Sequence, residues 1–322
     1  MPQQLTNTIL MIRPVKFGYN LETAENNHYQ RSLAEVPPSE IQQRALREFN
    51  QMVEKLQAAG VNVIAIDDTG LQDTPDSIFP NNWISFHEDG TVVTYPMWAP
   101  NRRLERREDI LHILTQEYGF SITRKIDYSH FEAEEKFLEG TGSVVLDRQK
   151  KIAYACVSAR TNLSILEEFC AEFGFRPVVF IASQMTDQGF AEIYHTNVMM
   201  SVGQDLAIFC GEAVKNKWER QEVAKIIEES GKEIVFITEA QSNHFAGNML
   251  QVKNREGQPI LVMSEQAYQS LDKAQMEAIR QRTNILYSPL TTIETCGGGS
   301  ARCMMAEVFL PKKIRSLLHE RD

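Results

Sequence analysis

No run of apolar residues in this 322-residue chain is long enough to cross a bilayer. The opening Met1-Pro-Gln-Gln-Leu-Thr-Asn-Thr has neither the basic start nor the apolar core of a secretory leader. Basic residues are outnumbered, 33 against 43 acidic ones for a formal net charge of −10. That balance argues against a nucleic-acid or anionic-membrane partner, which would need a basic face. Cysteine is scarce. Five residues, at 156, 170, 210, 296 and 303, make an odd count without framework spacing, which argues against a disulfide scaffold and for reduced thiols in a cytoplasmic protein. Cys296 and Cys303 are too far apart for a metal knuckle, and no second cysteine pair exists to complete a structural zinc site. The one glycine run is not followed by Gly-Lys-Ser/Thr or by a helix, so it fits neither a P-loop nor a dinucleotide fingerprint. A Pro/Gly/Ser-rich linker is also missing, and residues 1–322 read as a single domain.

What is present has an ordinary globular balance, 43% hydrophobic and 24% charged. Residues 8–13 predict a first strand, closed by Pro14. The polar stretch over residues 17–40, with Gly18 and Pro37-Pro38, predicts a long mobile loop of the kind that serves as a lid. Residues 41–59 have helical periodicity with Gly60 as C-cap, and residues 61–67 predict a strand. From there a unit recurs: strand, tight polar turn, strand, amphipathic helix, third strand. First strands are predicted over 83–86, 143–146, 198–202 and 249–252, and second strands over 91–95, 151–156, 206–210 and 260–263. Helices follow over 103–117, 163–173, 218–229 and 265–282, with third strands over 177–181, 233–238 and 284–287. The turns recur roughly every 50 to 60 residues, the mark of a repeat architecture. A fifth unit is incomplete. Residues 303–310 predict a buried strand, which strand 8–13 and the helix after it could complete, closing a ring. The expected fold is one closed, pseudo-symmetric α/β domain with strands around a centre and helices outside.

Residues able to do chemistry sit just before the first strand of each unit. They are Asn81-Asn82, Glu139 in Glu-Gly-Thr-Gly, Tyr194-His195-Thr196-Asn197, Ala246-Gly247-Asn248, and the stretch from Gly297 through Gly298, Gly299, Ser300, Ala301 and Arg302 to Cys303. If rotation about one axis relates the units, these positions converge on it. Consecutive glycines let a ligand approach the main chain closely, and Cys303, on the rim of a strand beside them, stands where a cysteine nucleophile would be placed. Thiol, imidazole and carboxylate are the parts of an acyl-type transfer in which the thiolate attacks, the imidazole carries a proton and the carboxylate orients the imidazole. The spacing matches no papain-like or caspase-like signature. Each member also has a plain structural reading: a small core cysteine, a hydrogen-bonded histidine, a solvated turn glutamate, turn-forming asparagines. Their recurrence at equivalent points of a repeat argues for a shared pocket.

With these motifs in place, the chain resembles over nearly its whole length the guanidine-modifying (pentein) superfamily, which are five-fold pseudo-symmetric α/β-propellers. It is most similar to bacterial amidinotransferase-like hydrolases of the citrulline ureidase type, related to arginine deiminases and succinylarginine dihydrolases. The resemblance implies that Cys303 is the nucleophile, His195 the general acid/base and Glu139 its carboxylate partner, and that Cys296 is not the nucleophile. It implies that Asp76 holds the α-amino group of the substrate, and that Arg102 and Arg160 hold the α-carboxylate, a task suited to a guanidinium fork. It implies no metal and no organic cofactor; the partner is a small amino acid, and a homo-oligomer is compatible with the sequence.

Two departures from the deiminase pattern bear on the substrate. Arginine deiminases place Asp where this chain has Asn82, and write His-x-Asp where it has His195-Thr196-Asn197. A guanidinium is cationic and offers only donors, so paired carboxylates fit it. A ureido group is neutral, with an acceptor oxygen and N–H donors, which asparagine can match without burying a charge. The expected reaction is hydrolysis of citrulline to ornithine, ammonia and carbon dioxide, with Asn82 and Asn197 holding the ureido group. The alternatives are an arginine dihydrolase, an arginine deiminase, an amidinotransferase, or a non-catalytic binding protein on the same fold. The roles of Asn243, His244 and Asn248 stay open.

Overall fold

The computed structural model describes residues 2–186 and 189–313, so the expected domain bounds, 1 and 322, lie outside the described residues. Period-two alternation decides the first strand. In β1 (Thr8–Arg13), Ile9 and Met11 enter one apolar cluster while Leu10 and Ile12 enter another. Both faces are buried, which is why the strand reads as an unbroken apolar run. The helix Pro38–Ala58 then buries Ile41, Ala45, Phe49, Met52 and Leu56, three or four apart, and returns the chain to β2 (Asn62–Asp67), parallel to β1.

Four further units repeat this wiring. They are β3 (Ile84–Phe86), β4 (Thr91–Thr94) and β5 (Arg124–Asp127), then β6 (Val145–Asp147), β7 (Ile152–Cys156) and β8 (Arg176–Phe180). A hairpin of β9 (Ser183–Thr186) and β10 (Gly189–Glu192) intervenes. The series continues with β11 (Met200–Val202), β12 (Leu206–Phe209) and β13 (Glu233–Phe236), then β14 (Leu250–Lys253), β15 (Pro259–Ser264) and β16 (Asn284–Ser288). In each unit the first strand is antiparallel to the second, and the second is parallel to the third through a helical crossover. β17 (Ala306–Glu307) pairs antiparallel with β1, giving the fifth sheet the order β17-β1-β2. The anticipated completion of the fifth unit by the N-terminal strand is therefore what the structure contains. The chain has a mixed α/β fold.

Packing joins neighbouring sheets through their central strands. Val92 and Val93 belong to different apolar clusters, as do Tyr154 and Ala155, and Leu261 and Val262. Among the described residues no helix is long and apolar enough to cross a membrane.

The structure departs from the sequence reading in several places. The helix predicted over 103–117 is two pieces, Pro100–Arg103 and Glu108–Gln116. The one predicted over 265–282 breaks into Glu265–Ser270 and Lys273–Arg280, where Asp272 and Gln275 form a reciprocal capping box. Several first strands begin later than predicted because one turn of helix precedes them: Pro80–Asn82, Gly140–Ser143 and Thr196–Met199. The strand predicted over 303–310 shrinks to Ala306–Glu307. The N–H groups of Cys303 and Met304 turn back onto Ser300 O, and that of Met305 onto Arg302 O, so Cys303 lies in a turn and not on a strand rim. The hairpin β9–β10 went unpredicted; its exposed Met185 and Phe190 give no core-facing pattern.

Candidate active site

The single-turn helices aim the site residues. Asn82 ends the turn Pro80–Asn82, while Glu139 and His195 stand at the N-caps of Gly140–Ser143 and Thr196–Met199. The middle turn packs against both others, which brings residues from three units together. Cys303 arrives on the turn after the glycine run, and Asn248 on a turn leading into β14. Exposure is 3% at Cys303, 2% at His195 and 0% at Glu139, so this is a closed site.

His195 Nε2 lies 2.7 Å from Glu139 Oε2, and Glu139 Oε1 accepts from Trp98 N at 2.9 Å. Burial works against the charge of Glu139, but Arg160, His195 and Arg102 outweigh it and hold the carboxyl well below the usual range. Burial pushes the imidazole down to about 4, against the pull of Glu139. The pair is thus a carboxylate and a neutral imidazole near neutral pH. The Nε2 proton faces Glu139, and Nδ1, which has no hydrogen-bond partner among the described residues, is the free acceptor.

The thiol of Cys303 belongs to an apolar cluster, and burial pushes it up. Its polar neighbours are Asn248 Nδ2 at 3.3 Å and Asn197 Nδ2 at 3.7 Å. The glycines are not the open wall the sequence suggests. The ring of Phe79 lies against Gly297 and Gly299, where a Cβ would come within 2.8 and 2.9 Å of it, and Gly298 (φ +62°) closes the helix Thr291–Gly297. They are small so that protein can pack there.

Arg102 donates to both carboxylate oxygens of buried Glu105 at 2.9 Å and to Asn82 Oδ1 at 2.8 Å. Arg160 reaches Glu139 Oε2 at 3.4 Å, Thr23 O at 3.1 Å and Asn26 Oδ1 through Nε at 2.9 Å. Asp76 Oδ2 accepts from Asn20 Nδ2 at 2.7 Å and Thr23 Oγ1 at 3.1 Å, and burial pushes its carboxyl up. The stretch expected as a mobile loop is thus tied down before the helix that starts at Pro38. Asn27 and Gln30 donate to Gly297 O and Cys296 O, and Arg31 N to Thr295 O. It covers Asp76 and Arg160. Buried polar atoms here without a protein partner include Asp76 Oδ1 and Asn82 Nδ2. Leaving such an atom unmet costs about 1–3 kcal/mol, so both are places for a ligand to bond.

Cys303, His195, Glu139, Asn82, Asn197, Asp76, Arg102 and Arg160 are all brought into one buried region. The sequence reading missed Asn20, Thr23, Asn26 and Glu105. Only Glu105 left a signal, three residues after Arg102 on what could be one helical face. Asn243 and His244 are exposed, and His244 Nδ1 lies 2.8 Å from Ala240 O. Among the described residues no group of three or more His, Cys, Asp or Glu is arranged to hold a metal ion.

Comparison with curated proteins gives no match. Among solved structures, the chain is similar to the N-terminal domain of ArgZ, described as an arginine dihydrolase from the ornithine-ammonia cycle in cyanobacteria. Identity is 16%, coverage 94% of this chain and 97% of that one, and TM-score 0.69. AgrE in complex with ornithine and NAD+ is 17% identical over 98% of this chain and 40% of its own, with TM-score 0.69. A DDAH variant from Pseudomonas aeruginosa complexed with citrulline is 16% identical over 95% of this chain and 100% of its own, with TM-score 0.64. At these identities the likeness concerns the fold. The family model for eukaryotic N,N dimethylarginine dimethylhydrolase matches residues 13–310, a span that takes in every side chain of the site. The chain belongs to that family and, through it, to the pentein superfamily of guanidino-modifying proteins.

Proposed function

We propose that residues 1–322 form a single catalytic domain, its five units arranged as a pseudo-symmetric propeller, that hydrolyses citrulline to ornithine, ammonia and carbon dioxide. The orientation of Asn82 carries this reading. Its Oδ1 is taken by the Arg102 guanidinium, so Nδ2 is the atom left to meet a ligand. A guanidinium would present N–H against that N–H, whereas a ureido oxygen accepts from it. Asp76 Oδ1 then takes the α-ammonium. The α-carboxylate falls to Arg160, whose bonds go to Thr23 O and Asn26 Oδ1 and whose nearest carboxylate is Glu139 at 3.4 Å, whereas Arg102 is held by both oxygens of Glu105 at 2.9 Å.

In the proposed reaction Cys303 gives its proton to His195 Nδ1 as the sulfur attacks the ureido carbon. Glu139 stabilises the resulting imidazolium. The proton passes to the terminal nitrogen, the C–N bond breaks and ammonia leaves, with a thiocarbamate on Cys303. His195 next takes a proton from water, whose oxygen attacks the same carbon, and the proton returns to sulfur. The freed carbamate loses carbon dioxide to give ornithine.

Arginine dihydrolysis is the second reading. It is supported by the likeness to ArgZ, named an arginine dihydrolase, and to AgrE, solved with L-arginine as a mutant complex. Purified protein is given citrulline and arginine in parallel, and ornithine and ammonia are measured. Ornithine from citrulline alone is expected; ornithine from arginine with two ammonia per turnover would replace the first reading with the second. Cys303→Ala should fold and lose turnover by about a thousandfold or more. Wild-type rates from it would remove the nucleophile assignment.

A further inference from the structure

The turn before β14 holds a buried amide that the sequence left without a role. Asn248 is fully buried. Its Oδ1 accepts from Arg302 N at 3.1 Å, which fixes the face of the carboxamide and turns Nδ2 the other way. Nδ2 then has two hydrogens and three acceptors in reach: Asn197 O at 2.9 Å, Asn197 Oδ1 at 3.3 Å and Cys303 Sγ at 3.3 Å. With one hydrogen on Asn197 O, the second points between the sulfur and Asn197 Oδ1. Asn197 itself is a poorer donor to sulfur, at 3.7 Å, with the same nitrogen also reaching Thr141 O at 3.3 Å. The backbone beside Asn248 is tightly packed: Gly247 presses on the main chain at Val198 and Met199 so closely that a Cβ would come within 2.2 Å of Val198 O.

The Ser300 backbone and the Arg302 charge also favour the charged sulfur, and the Asn248 donor adds to them. Arg302, its chain neighbour, sends its guanidinium to Glu307 Oε2 at 2.7 Å and Met305 O at 2.8 Å. Tyr194 gives its hydroxyl to Gly298 O. His195 is neutral and tied to Glu139. No cation among the described residues touches the sulfur.

We propose that Asn248 is a catalytic residue whose amide hydrogen holds the thiolate form of Cys303 before and after attack. The inference rests on Cys303 being the nucleophile. An N–H donor favours the charged form of a buried sulfur, and an anchored donor needs no reorganisation when the charge appears. Asn248→Asp keeps the bond from Arg302 N and places an acceptor at the sulfur; Asn248→Ala removes the donor altogether.

The test is the pH profile of Cys303 alkylation by iodoacetamide, with Cys303→Ala protein subtracting the four other cysteines. In Asn248→Ala the midpoint should rise by about one pH unit, with the high-pH plateau rate unchanged. In Asn248→Asp it should rise further. If Asn248→Ala does not fold, the isosteric Asn248→Asp carries the comparison. An unchanged midpoint in a folded variant overturns the proposal and leaves Asn248 as a brace for the turns. The assay uses no substrate, so a wrong substrate does not affect it. Full turnover by Cys303→Ala would instead strike at the nucleophile itself.

Discussion

Glu294 is buried beside the turn that carries Cys303, accepting from Ser300 Oγ at 2.5 Å and from Gln266. Burial pushes its carboxyl from 4.5 up to about 7 despite those bonds. The native state therefore holds a proton that the unfolded chain gives up. Its contribution to stability is complete below about 4.5 and is lost as pH rises through about 7. His195, pushed from 6.5 down to about 4, has the opposite sign. The unfolded chain takes up that proton first, so stability falls as pH drops from 6.5 towards 4. Glu294→Gln should remove part of the alkaline limb: in thermal scans its Tm should fall less than that of the wild type between pH 6 and pH 8, and an equal fall would show that Glu294 is not the source. Nothing in the sequence distinguishes this glutamate from a solvated one, because its burial is decided by the partners of its helix. Cys303, His195 and Glu139 were legible for the converse reason: distinctive residue types stood at the same point of a repeated unit. Asn20, Thr23 and Asn26 were not, since polar residues in a polar loop look alike until the loop is laid over Asp76 and Arg160.

Among the elements, strands were easier to read than the turns that aim the chemistry. A strand buried on both faces is a continuous apolar run, as in β1, β7 and β15, and its sequence is distinctive. One turn of helix has no periodicity, so Gly140–Ser143 and Thr196–Met199 were read partly as strand entrances and partly as strand beginnings. Two glycines at these turns should respond differently to alanine. At Gly142 a Cβ would sit 2.4 Å from Asn82 Nδ2 and 2.9 Å from His195 Nδ1, both ends of side chains. Gly142→Ala should therefore keep most of its stability in urea titration while turnover falls by tenfold or more, on the order of a displaced catalytic group. At Gly247 the obstacle is the main chain at Val198, which cannot step aside, and Gly247→Ala should lose at least about 1–3 kcal/mol in the same titration. Equal effects at the two positions would contradict this division.

The whole molecule was legible as a repeat, and the last unit as one that the N-terminal strand and the helix after it could complete. That completion has a temporal consequence. β1 meets β17, and Thr6 Oγ1 bonds Val308 O across 302 positions of sequence, the largest separation bridged by a hydrogen bond among the described residues. Contacts so remote are slow to form, because their closure entropy must be met before they return any stability. The middle units, wired locally, should assemble first. The seam next to Cys303 should be the last to close, so secondary structure should return ahead of chemistry. Far-UV circular dichroism during refolding should recover before turnover of the proposed citrulline substrate, and simultaneous recovery would show the seam forming with the rest. An intermediate on this route would carry the imidazole–carboxylate pair without its sulfur in place. The fold would thus act as its own timer, withholding the thiol proposed as nucleophile until the structure around it is complete.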